Sequence, residues 1–172
     1  MTENANHLVT FKGRPVTLIG KQVKVGELAR DFSVLANDLT EISLKDTAAK
    51  IRVINVVFSL ETSICDIQTR KFNEELAQFA EKVDVMTISM DLPFAQARWC
   101  SASGLKNVRT YSDHRDAHFG VAFGVLIKEL RLLARSVFIL DADNKVRYAD
   151  YVSEVSTHPD YSAALAAVKA LL

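Results

Sequence analysis

The stretch that decides the fold is VINVVFSLETSICDIQTRKFNEELAQFA, residues 53–80. It begins with a run of valine and isoleucine residues, whose β-branched side chains predict a buried strand. A short polar loop follows, after which Phe72, Leu76 and Phe79 recur at helical spacing. The stretch therefore predicts a strand that leads directly into a helix, with Cys65 in the first turn of that helix.

Cys65 is predicted to lie where a helix favours a negative charge. The unpaired backbone N–H groups and the dipole of a first turn stabilise an anion, so a cysteine there favours the reactive thiolate. Thr62 and Ser63 are good N-caps, and Ser63 forms an approximate capping box with Asp66. We expect an exposed thiol with few apolar neighbours and with Arg70 on the same helix. A buried, inert cysteine is the alternative, and these residues alone do not decide between the two.

Length and composition indicate one neutral globular domain over residues 1–172. Apolar residues make up 49% of the chain and charged residues 24%, with 21 basic and 21 acidic side chains. This balance gives no reason to expect nucleic acid or a membrane as a partner. The N-terminal residues lack the pattern of a secretion signal, and no apolar run approaches the ~20 residues of a membrane helix. We therefore expect a cytoplasmic protein, in which two cysteines do redox chemistry or nothing rather than form a permanent disulfide.

Strand and helix signals alternate along the chain. The first part predicts a hairpin of strands 7–11 and 16–19, a strand pair at 32–36 and 41–43, and at most a short helix at 44–49. After the Cys65 helix come a strand at 83–90, a helix at 93–103, a strand at 107–111, a helix at 113–123, a hairpin of 135–140 and 145–152, and a helix at 159–172.

The central strand, the Cys65 helix and the next strand form a βαβ unit. Such a unit requires parallel pairing and a right-handed crossover, and sites form at the edge where its strands end. We therefore predict an α/β fold with a mixed β-sheet, helices on both faces and an N-terminal β-hairpin. The thioredoxin-like arrangement is the commonest small form of this fold.

Five segments resemble the bacterial thiol peroxidases, a branch of the peroxiredoxins. They are SLETSICDIQTRKFN (59–73), DLPFAQARWCSASG (91–104), SDHRD (112–116), LLARSVFILD (132–141) and HPDYSAAL (158–165). Because the segments follow in the right order over most of the chain, the resemblance is specific. It implies a single thioredoxin-like peroxiredoxin domain.

The resemblance also implies an atypical two-cysteine mechanism. Cys65 falls at the position of the peroxidatic cysteine, and Cys100 falls at that of the resolving cysteine. Thr62 and Arg135 fall at the active-site threonine and arginine. The implied activity reduces hydrogen peroxide and organic hydroperoxides through a Cys65 sulfenic acid, which Cys100 resolves as an intramolecular disulfide. Thioredoxin is the usual reductant in that family, a homodimer is the usual assembly, and neither a cofactor nor a metal is implied.

The implied mechanism makes two geometric demands. The hairpin strand at 135–140 must present Arg135 at the sheet edge towards the Cys65 turn. A disulfide between Cys65 and Cys100 needs Cα atoms within about 7 Å, and we expect local unwinding of a helix turn when it forms. The neighbouring Trp99 either packs or shields the resolving thiol.

Phe58 stands where the family motif P-x-x-x-T-x-x-C begins with proline. Phenylalanine restores a backbone N–H and a free φ, so we expect the loop to be positioned less well. Its ring either folds over the sulfur and narrows access, or swings into solvent. A catalytically impaired structural or metal-binding relative, favoured if Phe58 blocks the pocket, is therefore one alternative. A peroxide-responsive redox sensor that uses the same Cys65–Cys100 switch is another.

His114 and His118 are the remaining pattern of interest. They lie four residues apart, which on a helix would place two imidazoles on one face, as in many metal sites. Asp113 and Asp116 are close in sequence. Since the sequence fixes no third ligand, a solvated helix start explains the same residues.

Overall fold

The structure, a computed structural model, describes residues 9–47, 50–106 and 108–172. Its strands are β1 (Val9–Phe11), β2 (Arg14–Val16), β3 (Leu18–Ile19), β4 (Ser33–Leu35), β5 (Glu41–Ser43), β6 (Ile51–Val56), β7 (Val83–Ser89), β8 (Thr110–Ser112), β9 (Leu126–Ile127), β10 (Leu132–Leu133), β11 (Ser136–Leu140) and β12 (Val146–Tyr151). Its α-helices are α1 (Ser63–Leu76), α2 (Pro93–Ser103), α3 (His118–Phe123) and α4 (Tyr161–Lys169). Short 3-10 helices lie at Leu44–Thr47 and Ala77–Phe79.

Seven of the described strands build the main mixed sheet, in the order β12-β11-β6-β7-β8-β4-β5. β6 pairs with β7 in parallel, and β7 pairs with β8 in parallel. The remaining neighbours are antiparallel, including β11 with β6. The predicted mixed α/β sheet with a central βαβ unit is therefore confirmed.

Helices cover both faces of this sheet, as the sequence predicts. Helices α1 and α4 pack on one face, where the buried residues include Val53, Phe72, Leu76, Val137 and Val168. Helix α3 packs on the other, where the buried residues include Ile54, Met86, Phe119, Phe123 and Phe138. Because both faces of β6 are covered, every residue of that strand is buried, which explains why valine and isoleucine make up most of it.

The N-terminal hairpin is present and is tighter than predicted. β1 pairs with β2 through Val9 and Val16, and the turn consists of Lys12 and Gly13, both with positive φ. The predicted strand 16–19 is divided, because β3 leaves the hairpin and pairs with β9. β9 also pairs with β10, and the sequence predicted neither of these short strands. Residues 7–8 of the predicted first strand lie outside the described residues.

The helix predicted at 113–123 begins five residues later, at His118. The Asp113 carboxylate accepts hydrogen bonds from the backbone N–H groups of Phe119 and Gly120, so Asp113 precedes the helix and binds its first turn. The end predicted at Gly124 is confirmed, with φ 66°. The strand predicted at 107–111 is shifted to Thr110–Ser112, and residue 107 is not described.

The other predicted elements need smaller adjustments. α2 has the predicted bounds, with its proline in the first turn and Gly104 as C-cap at φ 72°. The short helix predicted at 44–49 is the 3-10 helix Leu44–Thr47, and residues 48–49 lie outside the described ones. α4 begins after Asp160, whose side chain accepts from the Ala163 N–H. Within the described ranges, no helix is long and apolar enough to cross a membrane.

Candidate active site

Cys65 is the third residue of α1, directly beyond the end of β6. The helix start is as predicted, but the exposed thiol is not: Cys65 is 0% exposed. It lies in an apolar cluster with Val57, Leu60 and Trp99. The prediction failed because Val57 and Leu60 of the preceding loop are buried together with Cys65, and Trp99 joins them from α2, a contact that the local sequence does not show.

The loop between β6 and α1 is held by the end of β7. The Asp91 carboxylate accepts from the Ser59 hydroxyl at 2.7 Å and from the Leu60 N–H at 2.8 Å. Since β6 and β7 run parallel, Asp91 follows β7 at the same edge at which the loop follows β6. The predicted edge is therefore the one that carries the Cys65 turn.

Side chains do not cap the first turn of α1 in the predicted way. Thr62 occupies the N-cap position, but its hydroxyl donates to the Ser59 carbonyl at 2.8 Å and makes no cap hydrogen bond. Asp66 bonds to Arg70 and Trp99 instead of completing a capping box with Ser63. The first-turn N–H groups of α1 thus receive no side-chain cap, and they favour an anion at this point.

Arg135 contacts the sulfur of Cys65. It immediately precedes β11, whose Ser136 pairs with Val56 at the end of β6, so the two strands bring the guanidinium to the Cys65 turn. Its Nη1 donates to Cys65 Sγ at 3.4 Å, and its Nε donates to the Val155 carbonyl at 2.8 Å. Arg135 is only 2% exposed. Its predicted placement is therefore confirmed.

Gln68 is a site residue that the sequence argument missed. Its Oε1 accepts from Arg135 Nη1 at 2.7 Å, and its Nε2 donates to Asn55 Oδ1 at 2.6 Å. Asn55 in turn donates to the hydroxyls of Thr69 and Thr87, and all four of these polar residues are 0% exposed. The spacing could have indicated this role, because Gln68 lies three residues after Cys65 and hence on the same helix face.

A cavity of about 270 Å³ opens beside the Cys65 turn, close to the volume of small-ligand sites in other proteins. Its lining includes Phe11, Phe58, Thr62, Ile64, Arg135 and Val155. The Phe58 ring stacks on Phe11 with centroids 4.8 Å apart, and it packs against the apolar cluster of Cys65. The ring therefore forms a wall of the cavity, and the expectation that it might swing into solvent is wrong.

Glu154 forms hydrogen bonds that hold the N-terminal hairpin beside this cavity. Its carboxylate accepts from the backbone N–H groups of Lys12 and Gly13 and from the Thr10 hydroxyl. Hydrogen bonds from the hydroxyls of Ser156 and Thr10 hold the pKa of Glu154 well below its usual range. The hairpin thus supplies the Phe11 wall of the cavity, a role in the site that the sequence analysis did not predict.

Cys100 is the eighth residue of α2 and is half-buried. It packs against the same apolar cluster that contains Cys65, so the structure brings both cysteines to one place. Its sulfur lies 3.3 Å from Thr110 Oγ1 in β8 and 3.8 Å from Asn37 Nδ2 in the turn between β4 and β5. Both cysteines are free thiols.

Arg70, His114 and His118 bind neighbouring residues instead of forming part of a thiol or metal site. Arg70 donates to Asp66 on its own helix and to the Ser103 carbonyl of α2, instead of supporting the thiol. His114 bonds to Ser112 Oγ, whereas His118 bonds to the Ser33 hydroxyl. Among the described residues, no group of three His, Cys, Asp or Glu side chains could hold a metal ion.

Sequence comparisons show which known proteins the chain resembles. The Redoxin family model matches residues 24–165. The thiol peroxidase of Bacillus subtilis is 60% identical over 164 residues, which cover 95% of this chain and 98% of that protein. The thiol peroxidase of Halalkalibacterium halodurans is 56% identical over the same shares.

Solved structures resemble the chain along its whole length. A peroxiredoxin-like protein from Aquifex aeolicus superposes with a TM-score of 0.87 at 39% identity, covering 100% of both chains. The thiol peroxidase from Chromobacterium violaceum has a TM-score of 0.85 at 18% identity, covering 96% of this chain and 97% of that one.

Proposed function

Because the chain belongs to the Redoxin family, and within it to the thiol peroxidases, we propose that Cys65 is its peroxidatic thiol and Cys100 its resolving thiol. The protein is an enzyme that reduces peroxides at the expense of thiols. The observation that carries the residue assignment is the 3.4 Å contact between Arg135 Nη1 and Cys65 Sγ at the start of α1. A fixed cation and a helix N-terminus there meet the two requirements of a reactive thiolate.

In the first step, the Cys65 thiolate attacks one oxygen of the peroxide. A sulfur–oxygen bond forms and the oxygen–oxygen bond breaks, which leaves a sulfenic acid and an alkoxide or hydroxide that takes up a proton. Arg135 and the first-turn N–H groups of α1 stabilise the negative charge on the departing oxygen. Thr62 lines the cavity, and because its hydroxyl proton is donated to Ser59, its oxygen is able to accept a hydrogen bond from the peroxide.

In the second step, the Cys100 thiol attacks the sulfenic sulfur of Cys65. The products are a disulfide and one water molecule, so the pair has lost two electrons in total. Thioredoxin then reduces the disulfide by thiol–disulfide exchange and becomes oxidised itself. A homodimer as the working assembly and the cytoplasm as its location complete the proposal. Nothing in this cycle requires a cofactor.

The cavity supports activity towards organic hydroperoxides as well as hydrogen peroxide. Its walls include the side chains of Phe11, Phe58, Ile64 and Val155, which suit an apolar substituent on the peroxide. Phe58 stacks on Phe11 and leaves this cavity open, which argues against the catalytically impaired alternative. No contact in the described residues specifically favours the redox-sensor alternative.

Two substitutions test the assignment, and each serves as the control for the other. Cys65→Ser removes the attacking sulfur, so we expect peroxide consumption in the presence of thioredoxin to be abolished. Cys100→Ser retains Cys65, so we expect one round of oxidation per chain and no recycling by thioredoxin. Turnover of Cys65→Ser at the parent's rate would contradict the peroxidatic assignment, and full recycling of Cys100→Ser would contradict the resolving one.

A further inference from the structure

Three side chains tie the two cysteine-bearing helices together, and we call Asp66, Arg70 and Trp99 the interhelical latch. Trp99 Nε1 donates to Asp66 Oδ1 at 3.0 Å across the gap between α2 and α1. Arg70 Nε pairs with Asp66 Oδ2 at 2.9 Å, and Arg70 Nη1 donates to the Ser103 carbonyl at 2.7 Å. The Arg70 guanidinium also lies over the Trp99 ring, 5.6 Å from its centroid.

The latch joins the immediate neighbours of both redox cysteines. Asp66 follows Cys65 in the chain, and Trp99 precedes Cys100, so one hydrogen bond fixes the two cysteine turns relative to each other. The Ser103 carbonyl belongs to the last residue of α2, so Arg70 holds the end of the segment that carries Cys100. Any rearrangement that carries Cys100 towards Cys65 must disturb these contacts.

The two sulfurs are not bonded and have different partners, so at least one of them must move for the disulfide to form. The Cys65 sulfur is in contact with Arg135, whereas the Cys100 sulfur lies beside Thr110 of β8. A disulfide requires the two sulfurs at about 2.0 Å. Both thiols are free in the structure, so the latched arrangement is the reduced one.

We propose that Asp66 is a positioning residue for the resolution step, acting through Trp99 and Arg70. This inference rests on the proposed roles of Cys65 and Cys100. With the latch closed, α2 keeps Cys100 beside Thr110 of β8 while the peroxide reacts at Cys65. Release of the latch lets the end of α2 move, and the rate of release limits disulfide formation.

The latch thereby sets the balance between two fates of the sulfenic acid. Attack by Cys100 gives the disulfide and water. Attack on a second peroxide molecule instead gives the sulfinic acid and water or an alcohol, which thioredoxin does not reverse. The first reaction is independent of peroxide concentration and the second is proportional to it, so slower release makes Cys65 more sensitive to over-oxidation.

The test uses Asp66→Ala, which removes the hydrogen bond of Asp66 to Trp99 between the helices and its ion pair with Arg70 within α1, and Asp66→Asn, which keeps an oxygen for Trp99 Nε1 but loses the ion pair with Arg70. Arg98→Gln is the matched control, because Arg98 also lies on α2 and pairs with Glu61, but both of those side chains are more than half exposed. Exposed ion pairs contribute little, so this variant should behave like the parent.

Each protein is mixed rapidly with hydrogen peroxide, quenched in acid, alkylated and weighed by mass spectrometry, which separates thiol, sulfenic acid, sulfinic acid and disulfide. We expect disulfide formation in Asp66→Ala to be about tenfold faster, the effect of losing one charge-assisted hydrogen bond of ordinary strength. Asp66→Asn should fall between Asp66→Ala and the parent. The peroxide concentration that over-oxidises half of Cys65 should rise by the same factor as the rate of disulfide formation.

The peroxide reaction itself is measured in the same experiment and separates the possible outcomes. A rate of disulfide formation in Asp66→Ala that equals or falls below the parent's would overturn the latch. A tenfold or greater fall in the second-order rate with peroxide, with no gain in disulfide formation, would also overturn it and assign Asp66 to the first step. Trp99→Phe, which replaces the indole by a smaller aromatic ring without an N–H donor, should repeat the acceleration if Asp66→Ala proves too unstable to assay. Absence of any disulfide in the parent would instead refute the proposed roles of the cysteines.

Discussion

Arg135→Lys is the substitution that most directly tests how the site works. The guanidinium donates to the Cys65 sulfur, the Gln68 amide oxygen and the Val155 carbonyl, and it does so while 2% exposed. Lysine keeps the charge but carries one nitrogen on a flexible stem, so it cannot reproduce the fixed fork of an arginine. The variant therefore separates the geometry of the donors from the mere presence of a cation.

The expected magnitude follows from these contacts. Loss of one donor aimed at developing charge slows a reaction by roughly a hundredfold to a thousandfold, equivalent to about 2.7–4 kcal/mol. If the lysine follows the sulfur, the buried Val155 carbonyl is left unpaired, which costs about 1–3 kcal/mol of folding stability. We therefore expect a folded, less stable protein whose Cys65 reacts with peroxide at least a hundredfold more slowly.

The assay is stopped-flow oxidation followed by fluorescence of Trp99, the single tryptophan of the sequence. The second-order rate constant for hydrogen peroxide is compared with that of Arg109→Lys, a control at an exposed arginine paired with Asp84. Urea unfolding of each variant at the assay temperature verifies that the protein is folded. A rate for Arg135→Lys within threefold of the parent's would refute the argument, and Arg135 would then be a structural residue.

Two further predictions concern the cavity and a buried carboxyl group. Phe58→Pro fixes φ in the loop before Cys65, so oxidation by hydrogen peroxide should become faster. Because the substitution also removes the ring that stacks on Phe11 in the apolar wall of the cavity, the gain for cumene hydroperoxide should be smaller; no gain with hydrogen peroxide would show that Phe58 is tolerated. Burial raises the pKa of Asp113 from 3.8 to about 6, so the folded state binds more protons than the unfolded state between those values, and its stability should fall by about 2 kcal/mol as pH rises from 4 to 7. Asp113→Asn should flatten this dependence in urea unfolding, and an unchanged slope would contradict it.

Local patterns were sufficient to predict most elements, because short-range physics determines them. The β-branched run of β6, the proline and glycine at the two ends of α2, and the turn between β11 and β12 each carry their own signal. The start of α3 was predicted five residues too early. Nothing in the apolar pattern shows that Asp113 precedes the helix, and only the structure shows that its carboxylate binds the first turn from outside. β9 and β10 have two residues each, too few for a period to be read.

The site was harder to predict, because its contacts join distant segments. Cys65 was placed correctly at the start of α1, but its burial depends on Trp99, which lies 34 positions later. Asp66 has a plausible local role as a cap, and only the packing of α2 shows that it binds Trp99 and Arg70 instead. Glutamine is common in helices, so the residue type at position 68 gives no signal. The role of Gln68 becomes clear only from its hydrogen bond with Arg135.

The register of three strands explains why these distant residues meet. β6 and β7 are parallel, so the Cys65 turn and Asp91 leave the sheet at the same edge. β11 is antiparallel to β6 and begins where β6 ends, so Arg135 enters the sheet at that edge through the pairing of Ser136 with Val56. A shift of β11 by one residue would turn its side chains to the opposite face and bury the wrong set. The alternating apolar residues of β11 pack against both helical layers, so the same core that stabilises the fold also fixes the arginine beside the thiol.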